Sequence, residues 1–487
     1  MEDGINSQVE RSFVILLVII FGSGSCMTMS GVWSEIPVLV ALGLPEKNRI
    51  TSYIMIPLVC GFVVVVAFLI CIKFLESTRV YRPEISFIYV ITFIGTIATF
   101  LLIFFWDSRT YLSGQPHSVA FMINIFFVLT VDMILGNTSS GYKSLLKPEY
   151  LNWLLLGQGM SSILPGCVVL IQYAGGSKET CVANFTFMNE TVVGNSSLSY
   201  SCTSWREVAP EFLFGPKIFF AFLFAMMLSC HISFICLNNL PCARREYAPQ
   251  RDGHHLKKDG CGGLFQSRDT SSGEMDELVV LTQIPESEGI ARSRPNNGDF
   301  MERELTNWQV AFLYAMSIIN MGILYGILSP IQGYSASAYG SQTYGLLTPL
   351  REITGALAFP LFQLKPIYSY KVVVWTFLLG SISSLYCIIV AAMSPYPPFS
   401  ELIIGKVLIV VAWIGAGVFH NYSRASYAWI LRHSPDNRKH LIYSSALGQL
   451  GVSVLTIFMF LLVNVFNVFE AYDDQKQCPI QPTCTRS

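Results

Sequence analysis

The chain has 487 residues, is 52% hydrophobic and only 13% charged, and carries a formal net charge of −1. Soluble domains average about 25% charged residues, so this composition excludes a soluble globular protein. The lack of net basicity argues against nucleic acid as a partner.

Helices that cross a bilayer need roughly 17–25 apolar residues. Eleven stretches reach that length, near 12–33, 51–73, 84–106, 117–139, 150–173, 212–238, 307–330, 343–363, 370–393, 401–423 and 440–469. They are apolar all round, as in FVVVVAFLICI, and lack the alternation of barrel strands. The expected fold class is an all-α polytopic membrane protein. The first run has no basic region beyond Arg11 and is too polar at its far end for a cleaved signal peptide.

With the N-terminus in the cytosol, most of the 31 Lys and Arg fall on inner segments, among them Lys73, Arg79, Arg82, Lys143, Lys147, Lys365, Arg424, Arg432 and Arg438. The loop 174–211 is then extracellular. It holds three glycosylation sequons, at Asn184, Asn189 and Asn195, and two cysteines, Cys181 and Cys202, as suits a compartment where glycans and disulfides form. Beyond the last helix, the tail 471–487 is also external and contains Cys478 and Cys484. A second external disulfide is expected there, although spacing alone does not fix pairing.

The longest polar interval, 241–305, has few residues able to build a core and is expected to be a disordered cytosolic linker. It divides the chain into an N-terminal bundle of six helices, 1–240, and a C-terminal bundle of five, 306–470, the arrangement of many alternating-access carriers. The spacing of His254, His255, Cys242 and Cys261 fits no zinc pattern, and no metal or cofactor is expected.

Polar residues inside membrane helices are costly and mark bundle interiors or water-filled paths. GSGSCMTMSGVWSEIP, 22–37, is the richest such stretch, with Ser30, Trp33 and Glu35 as candidate ligand contacts and Pro37 ending or kinking the helix. INMGILYGILSPIQGYSASAYG, 319–340, is the second, with Asn320, Tyr325, Gln332 and Tyr334. Its glycines and Pro330 predict a break near 326–333. Gln158 lies between two glycines on the fifth helix. Asp132 lies deep in the fourth, and Arg351 and Glu352 are adjacent in the eighth. Adjacent helical positions point roughly 100° apart, so this pair is expected to reach other helices, as gating or structural charges. HExxH, GxSxG and GxxxxGK[ST] are all absent, so the chain is not expected to be an enzyme.

FGSGSCMTMSGVWSEIPVLV, GQGMSSILPG, SPIQGYSASAYG, VLIVVAWIGAG and LGQLGVSVLTIFMFLLVNVFNVF occur in this order. With them the chain resembles the riboflavin transporter family of animal solute carriers. The most specific parts are G-x-W-x-E-[IL]-P, here Gly31, Trp33, Glu35 and Pro37, and Q-x-Y-S-x-x-x-Y-G, here Gln332, Tyr334, Ser335, Tyr339 and Gly340. The resemblance implies eleven helices, a cytosolic N-terminus and riboflavin uptake at the plasma membrane. The fold it implies is similar to equilibrative nucleoside transporters and so major-facilitator-like. Several positions depart from the family pattern: Ser30 stands for Asn, Cys26 for Trp, Leu324 and Tyr325 for Thr-Asn, and Gln158 for Glu. The family's external cysteine is missing from MSPYPPF, which leaves Cys478 and Cys484 to pair with each other or stay free. The chain reads as a divergent member. A flavin needs aromatic faces and several hydrogen-bonding groups. Trp33, Tyr325 and Tyr334 suit its ring, and Ser30, Gln158, Asn320 and Gln332 its edges and ribityl chain. Two other readings are a carrier of another polar heterocycle, such as a nucleoside, and a non-transporting surface receptor.

Overall fold

A computed structural model of the protein describes residues 2–24, 26–77, 83–112, 114–143, 147–174, 180–193, 196–208, 212–245, 305–364, 369–432, 434, 437–470 and 483–486. Ser25, Asn195, Cys478 and nearly all of the interval 241–305 lie outside the described residues.

A helix lies on every expected apolar stretch. The first half has α1 (Glu2–Ser23), α2 (Met27–Ala41), α3 (Ile50–Ser77), α4 (Pro83–Phe105), α5 (Val119–Lys143), α6 (Pro148–Ala174), α7 (Pro216–Asn239) and the short α8 (Pro241–Arg244). The second half has α9 (Asn307–Met321), a π-helical turn Gly322–Ile327, α10 (Leu328–Ala336), α11 (Ser341–Leu364), α12 (Tyr370–Ala392), α13 (Ile403–Arg432) and α14 (Asn437–Phe460). Among the described residues, seven helices are long and apolar enough to cross a membrane, or eight when α1 and α2 count as one bent span. The expected count of eleven spans is therefore not established. The helices outside that set, α5, α6 and α11, carry Asp132, Gln158, Ser161, Ser162, Arg351 and Glu352. Asp132, Ser161 and Arg351 among these are buried in the interior. Elsewhere apolar side chains face outward, as with Ile382, 65% exposed on α12, and Ile403, 80% exposed on α13. Aqueous surfaces do not tolerate such a belt, whereas lipid requires it.

Apolar packing is divided unevenly. The largest cluster draws on both halves, from Val32, Trp33, Ile54 and Phe219 in the first to Leu328, Tyr334, Trp413 and Met459 in the second. A second cluster belongs to the first half alone, with Val14, Phe21, Leu154 and Phe234. A third belongs to the second half, with Leu313, Val373, Tyr427 and Leu431. The main contacts between halves join α3 to α10 and α14, and α2 and α6 to α11.

The shared packing lies toward one end of the bundle, marked by two β-hairpins. Strands β1 (Thr110–Leu112) and β2 (Gln115–His117) form the smaller. Strands β3 (Thr180–Val193) and β4 (Ser196–Val208) form the larger, and β5 (Thr483–Arg486) adds to its edge as the order β3-β4-β5. The expected loop 174–211 is thus largely a hairpin, built from runs rich in Val, Thr, Phe and Tyr that favour strands. Asn184 and Asn189 lie on β3. The register sets Cys181 opposite Glu207, and Cys202 opposite Phe187. At about 3.4 Å per residue, those two cysteines are too far apart along the ladder for the bridge expected between them.

The glycines around Gln158 do different work. Gly157 is pressed against the backbone of α1, where an added Cβ would meet Ile19 O and the Cα of Gly22. An added Cβ at Gly159 would meet nothing within 4 Å. Gly157→Val is therefore expected to abolish surface expression and detergent-stable protein, whereas Gly159→Ala leaves both near wild type. Surface biotinylation and thermal melting read the difference.

Candidate functional site

Two helix defects face each other across the middle of the molecule. In the first half, the helix does not end at Pro37, which lies inside α2; the break comes earlier, where α1 stops at Ser23 and α2 starts at Met27. A helix start leaves backbone N–H groups without partners. Asp132, buried on α5, supplies one: the Met29 N–H donates to its Oδ2 at 2.7 Å. Thr28 lies against the same carboxylate. The carboxyl group sits at the positive end of the α2 dipole.

In the second half, the expected break at 326–333 is absent. The chain stays helical through Pro330, and the irregularity comes earlier, as the π-helical turn Gly322–Ile327. There the Leu328 N–H donates to Ile323 O, which leaves Leu324 O outside the ordinary i−4 pattern. Arg351 fills that gap, with Nη2 donating to Leu324 O at 3.3 Å and Nη1 to Gln332 Oε1 at 3.4 Å. Its guanidinium lies over the Trp413 ring, 5.2 Å from the centroid. The chain finally turns at Gly340, where φ is +96°.

Between these defects lie polar groups from both halves. Ser30 Oγ on α2 is 2.8 Å from Ser162 Oγ on α6, and Ser30 also lies near the carboxylate of Glu352 on α11. Tyr325, in the π-helical turn, is within electrostatic reach of Arg424, Glu352, Arg351 and Cys26. Gln158, Ser162, Tyr325, Glu352 and Arg424 are each partly exposed.

The other expected contacts are committed elsewhere. Trp33 is 4% exposed inside the shared apolar core, so its ring presents no free face. Tyr334 is likewise buried, its ring 5.8 Å from that of Phe469. Gln332 Nε2 donates to Thr348 Oγ1 at 2.7 Å, so both ends of its amide are occupied. Asn320 Nδ2 donates to His420 O at 3.0 Å, and its Oδ1 accepts from His420 Nδ1 at 2.6 Å. Glu35 is fully buried and takes 3.1 Å donation from Gln172 Nε2, which also donates to Phe214 O. That bond ties α2 to the base of the long hairpin. The motif residues therefore build the walls, and of the expected contacts Gln158 and Tyr325 are the most open.

Sequence reasoning missed Arg424, Asn421 and His420. It ended the tenth helix at 423 and placed Arg424 in a loop, whereas α13 runs on to Arg432. The signal was present as spacing: Trp413, Gly417, His420, Asn421 and Arg424 recur at three to four residues, on one helical face. That face is turned inward, so the polar run does not end the helix.

At the hairpin end the two halves are latched. Asn48 Nδ2 donates to Ser337 Oγ at 3.1 Å, Thr51 Oγ1 to Pro330 O at 2.9 Å, Arg49 Nη2 to Asn467 Oδ1 at 2.8 Å and Asn464 Nδ2 to Ser52 Oγ at 2.9 Å. At the opposite end the halves keep separate apolar clusters. Among the described residues no group of three His, Cys, Asp or Glu side chains is placed to hold a metal ion.

Two helical halves, closed at one end and facing each other through paired helix defects, define a multi-pass membrane carrier. The comparisons make this specific: a model described as "Solute carrier family 52, riboflavin transporter" matches residues 10–471, and the chain belongs to that family. It is 27% identical to "Riboflavin transporter 2" of Salmo salar, over 97% of this chain and 99% of the relative. It is 28% identical to "Solute carrier family 52, riboflavin transporter, member 3-A" of Danio rerio (96% and 99%), and 26% identical to member 3 of Homo sapiens (94% and 97%). In fold it is similar to the nucleoside transporter NupG, with a TM-score of 0.51, 11% identity, and coverage of 92% of this chain and 90% of that one. The major-facilitator-like class expected from the sequence is thus the observed one.

Proposed function

We propose that this protein takes riboflavin into cells across the plasma membrane, by exposing a site between its halves alternately to each side. The observation that carries this reading is the family match over residues 10–471, together with relatives from fish to human named as riboflavin transporters. The central polar group supports it chemically. Gln158 and Ser162 offer uncharged hydrogen-bonding groups, Tyr325 an aromatic face, and Glu352 and Arg424 an acceptor and a donor for imide and hydroxyl edges.

The sequons at Asn184, Asn189 and Asn195 support a reading with the long hairpin outside, the N-terminus in the cytosol and the C-terminal tail outside. On that reading the latch of Asn48, Arg49, Thr51 and Ser52 closes the outer mouth. The two unshared apolar clusters then flank an inner opening, and the conformation is inward-facing.

Uptake of labelled riboflavin by cells expressing the chain, with excess unlabelled nucleosides present, tests the function. Saturable uptake indifferent to nucleosides is expected. No uptake despite surface expression, or uptake abolished by nucleosides, overturns the flavin assignment. Within the same assay, Gln158→Ala and Tyr325→Leu are each expected to raise KM about tenfold at normal surface density. Removing one partner so that a buried polar group is left unsatisfied costs about 1–3 kcal/mol, and 1.4 kcal/mol is tenfold. Trp33→Ala, in contrast, is expected to lower the amount of folded protein, because it empties a core position.

A further inference from the structure

The edge strand of the long hairpin comes from the far end of the chain. Strand β5 pairs antiparallel with β4 in the register Tyr200↔Arg486, Ser201↔Thr485, Cys202↔Cys484 and Thr203↔Thr483. Directly opposite residues in an antiparallel pair have Cα atoms about 4.5–5.5 Å apart. A disulfide spans Cα separations of about 4.4–6.8 Å. The alternative partner for Cys202 within the hairpin, Cys181, stands opposite Glu207 on β4. It is six positions along β3 from the residue that faces Cys202, about 20 Å away at strand rise. We propose that Cys202 and Cys484 form a disulfide that fastens the C-terminal tail to the long hairpin and so links the two halves of the carrier covalently.

The proposal rests on the reading that this side is extracellular. There a disulfide-bearing oxidant of the secretory pathway accepts the two electrons and two protons that the thiols lose, and is itself reduced to a dithiol. The tie joins β4, which leads into α7 of the first half, to the chain that follows α14 of the second. The twelve residues 471–482 between Glu470 and β5 reach up to about 40 Å when extended. The bridge therefore tethers the halves without fixing their relative angle, and riboflavin uptake is expected to survive its loss.

The test uses the full chain with a protease site inserted within 246–304, the only covalent connection between the halves along the backbone. After cleavage of the folded protein and electrophoresis without reductant, the halves are expected to migrate together and to separate on reduction. A Cys181→Ser/Cys478→Ser background removes the other two cysteines of this side. The halves should stay linked in it and come apart when Cys202→Ser is added. Separation without reductant in that background overturns the pairing. Peptide mapping of the unaltered protein is a second measurement that does not depend on variants folding: a Cys202–Cys484 cross-linked peptide is expected. A Cys202–Cys181 or Cys478–Cys484 peptide, or alkylated free Cys202, overturns the proposal. Labelling with a membrane-impermeant maleimide after mild reduction separates the two ways of failing. Labelled Cys202 with a different partner leaves the outside placement standing. Cys202 that is unlabelled on intact cells but labelled after permeabilisation refutes the placement itself, and the pairing with it.

Discussion

Asp132→Ala is expected to reduce riboflavin uptake below a tenth of wild type and to lower surface expression, while Asp132→Asn keeps a third or more of both. The reason lies in the start of α2. The helix begins at Met27, where Cys26 supplies no side-chain cap and the first N–H groups have no partner within the helix. The Asp132 oxygen that accepts from the Met29 N–H at 2.7 Å fills that need from another helix. Removing a cap costs about 0.5–2 kcal/mol, and leaving a buried donor unsatisfied costs about 1–3 kcal/mol. Asparagine retains an acceptor oxygen of nearly the same reach, so it separates the acceptor from the charge. Uptake per surface molecule, measured for both variants, decides the matter. Wild-type uptake by the alanine variant would sink the capping role. An asparagine variant that reaches the surface but is as inactive as alanine would show that the charge, not the hydrogen bond, is needed.

That the first helix is irregular was legible, but its end or kink was expected at Pro37, which α2 runs past. Glycines and serines in GSGSC weaken helix formation, and the break falls there. The defect in the second half was legible as an irregularity but not in form. Pro330 pointed to a break, yet a π-helical turn two residues upstream lets the helix continue past it. A shift in backbone hydrogen-bond register leaves no mark in hydropathy. The roles of Asp132 and Arg351 were hidden for the same reason. Each was visible as a costly intramembrane charge, but what each satisfies is a backbone group that becomes exposed only once the neighbouring helix departs from regularity. The edge strand β5 had no signal either: four residues in a polar tail carry no pattern until β4 is there to pair with them. Motif positions such as Trp33, Gln332 and Tyr334 read as ligand contacts because they are polar or aromatic inside a membrane. The structure spends them on packing and on bonds between helices.

The two defects are satisfied in complementary ways, which sets up the second large effect. At α2 a carboxylate meets orphaned N–H groups; at the π-helical turn a guanidinium meets a released carbonyl. Arg351→Met is expected to cut uptake more than tenfold. It keeps much of the bulk over Trp413 but removes both donors, leaving Leu324 O and Gln332 Oε1 without them. Arg351→Lys should recover only part, since one ammonium does not reproduce a planar fork that reaches two acceptors while lying on an aromatic face. The informative construction is Arg351→Met combined with Glu352→Gln. If the arginine served chiefly to neutralise its neighbour, removing both charges would restore uptake. Glu352 feels the charge of Arg351 and also lies near Ser30 of the other half, whereas the hydrogen bonds of Arg351 go to Leu324 O and Gln332 within its own half. The double variant is therefore expected to be at least as impaired as Arg351→Met alone. Recovery to near wild type in uptake per surface molecule would overturn this account and make the adjacent charges a neutralising pair. Continued loss would place Arg351 as the strut that holds the π-helical turn, and with it Tyr325, in position at the midpoint of the path.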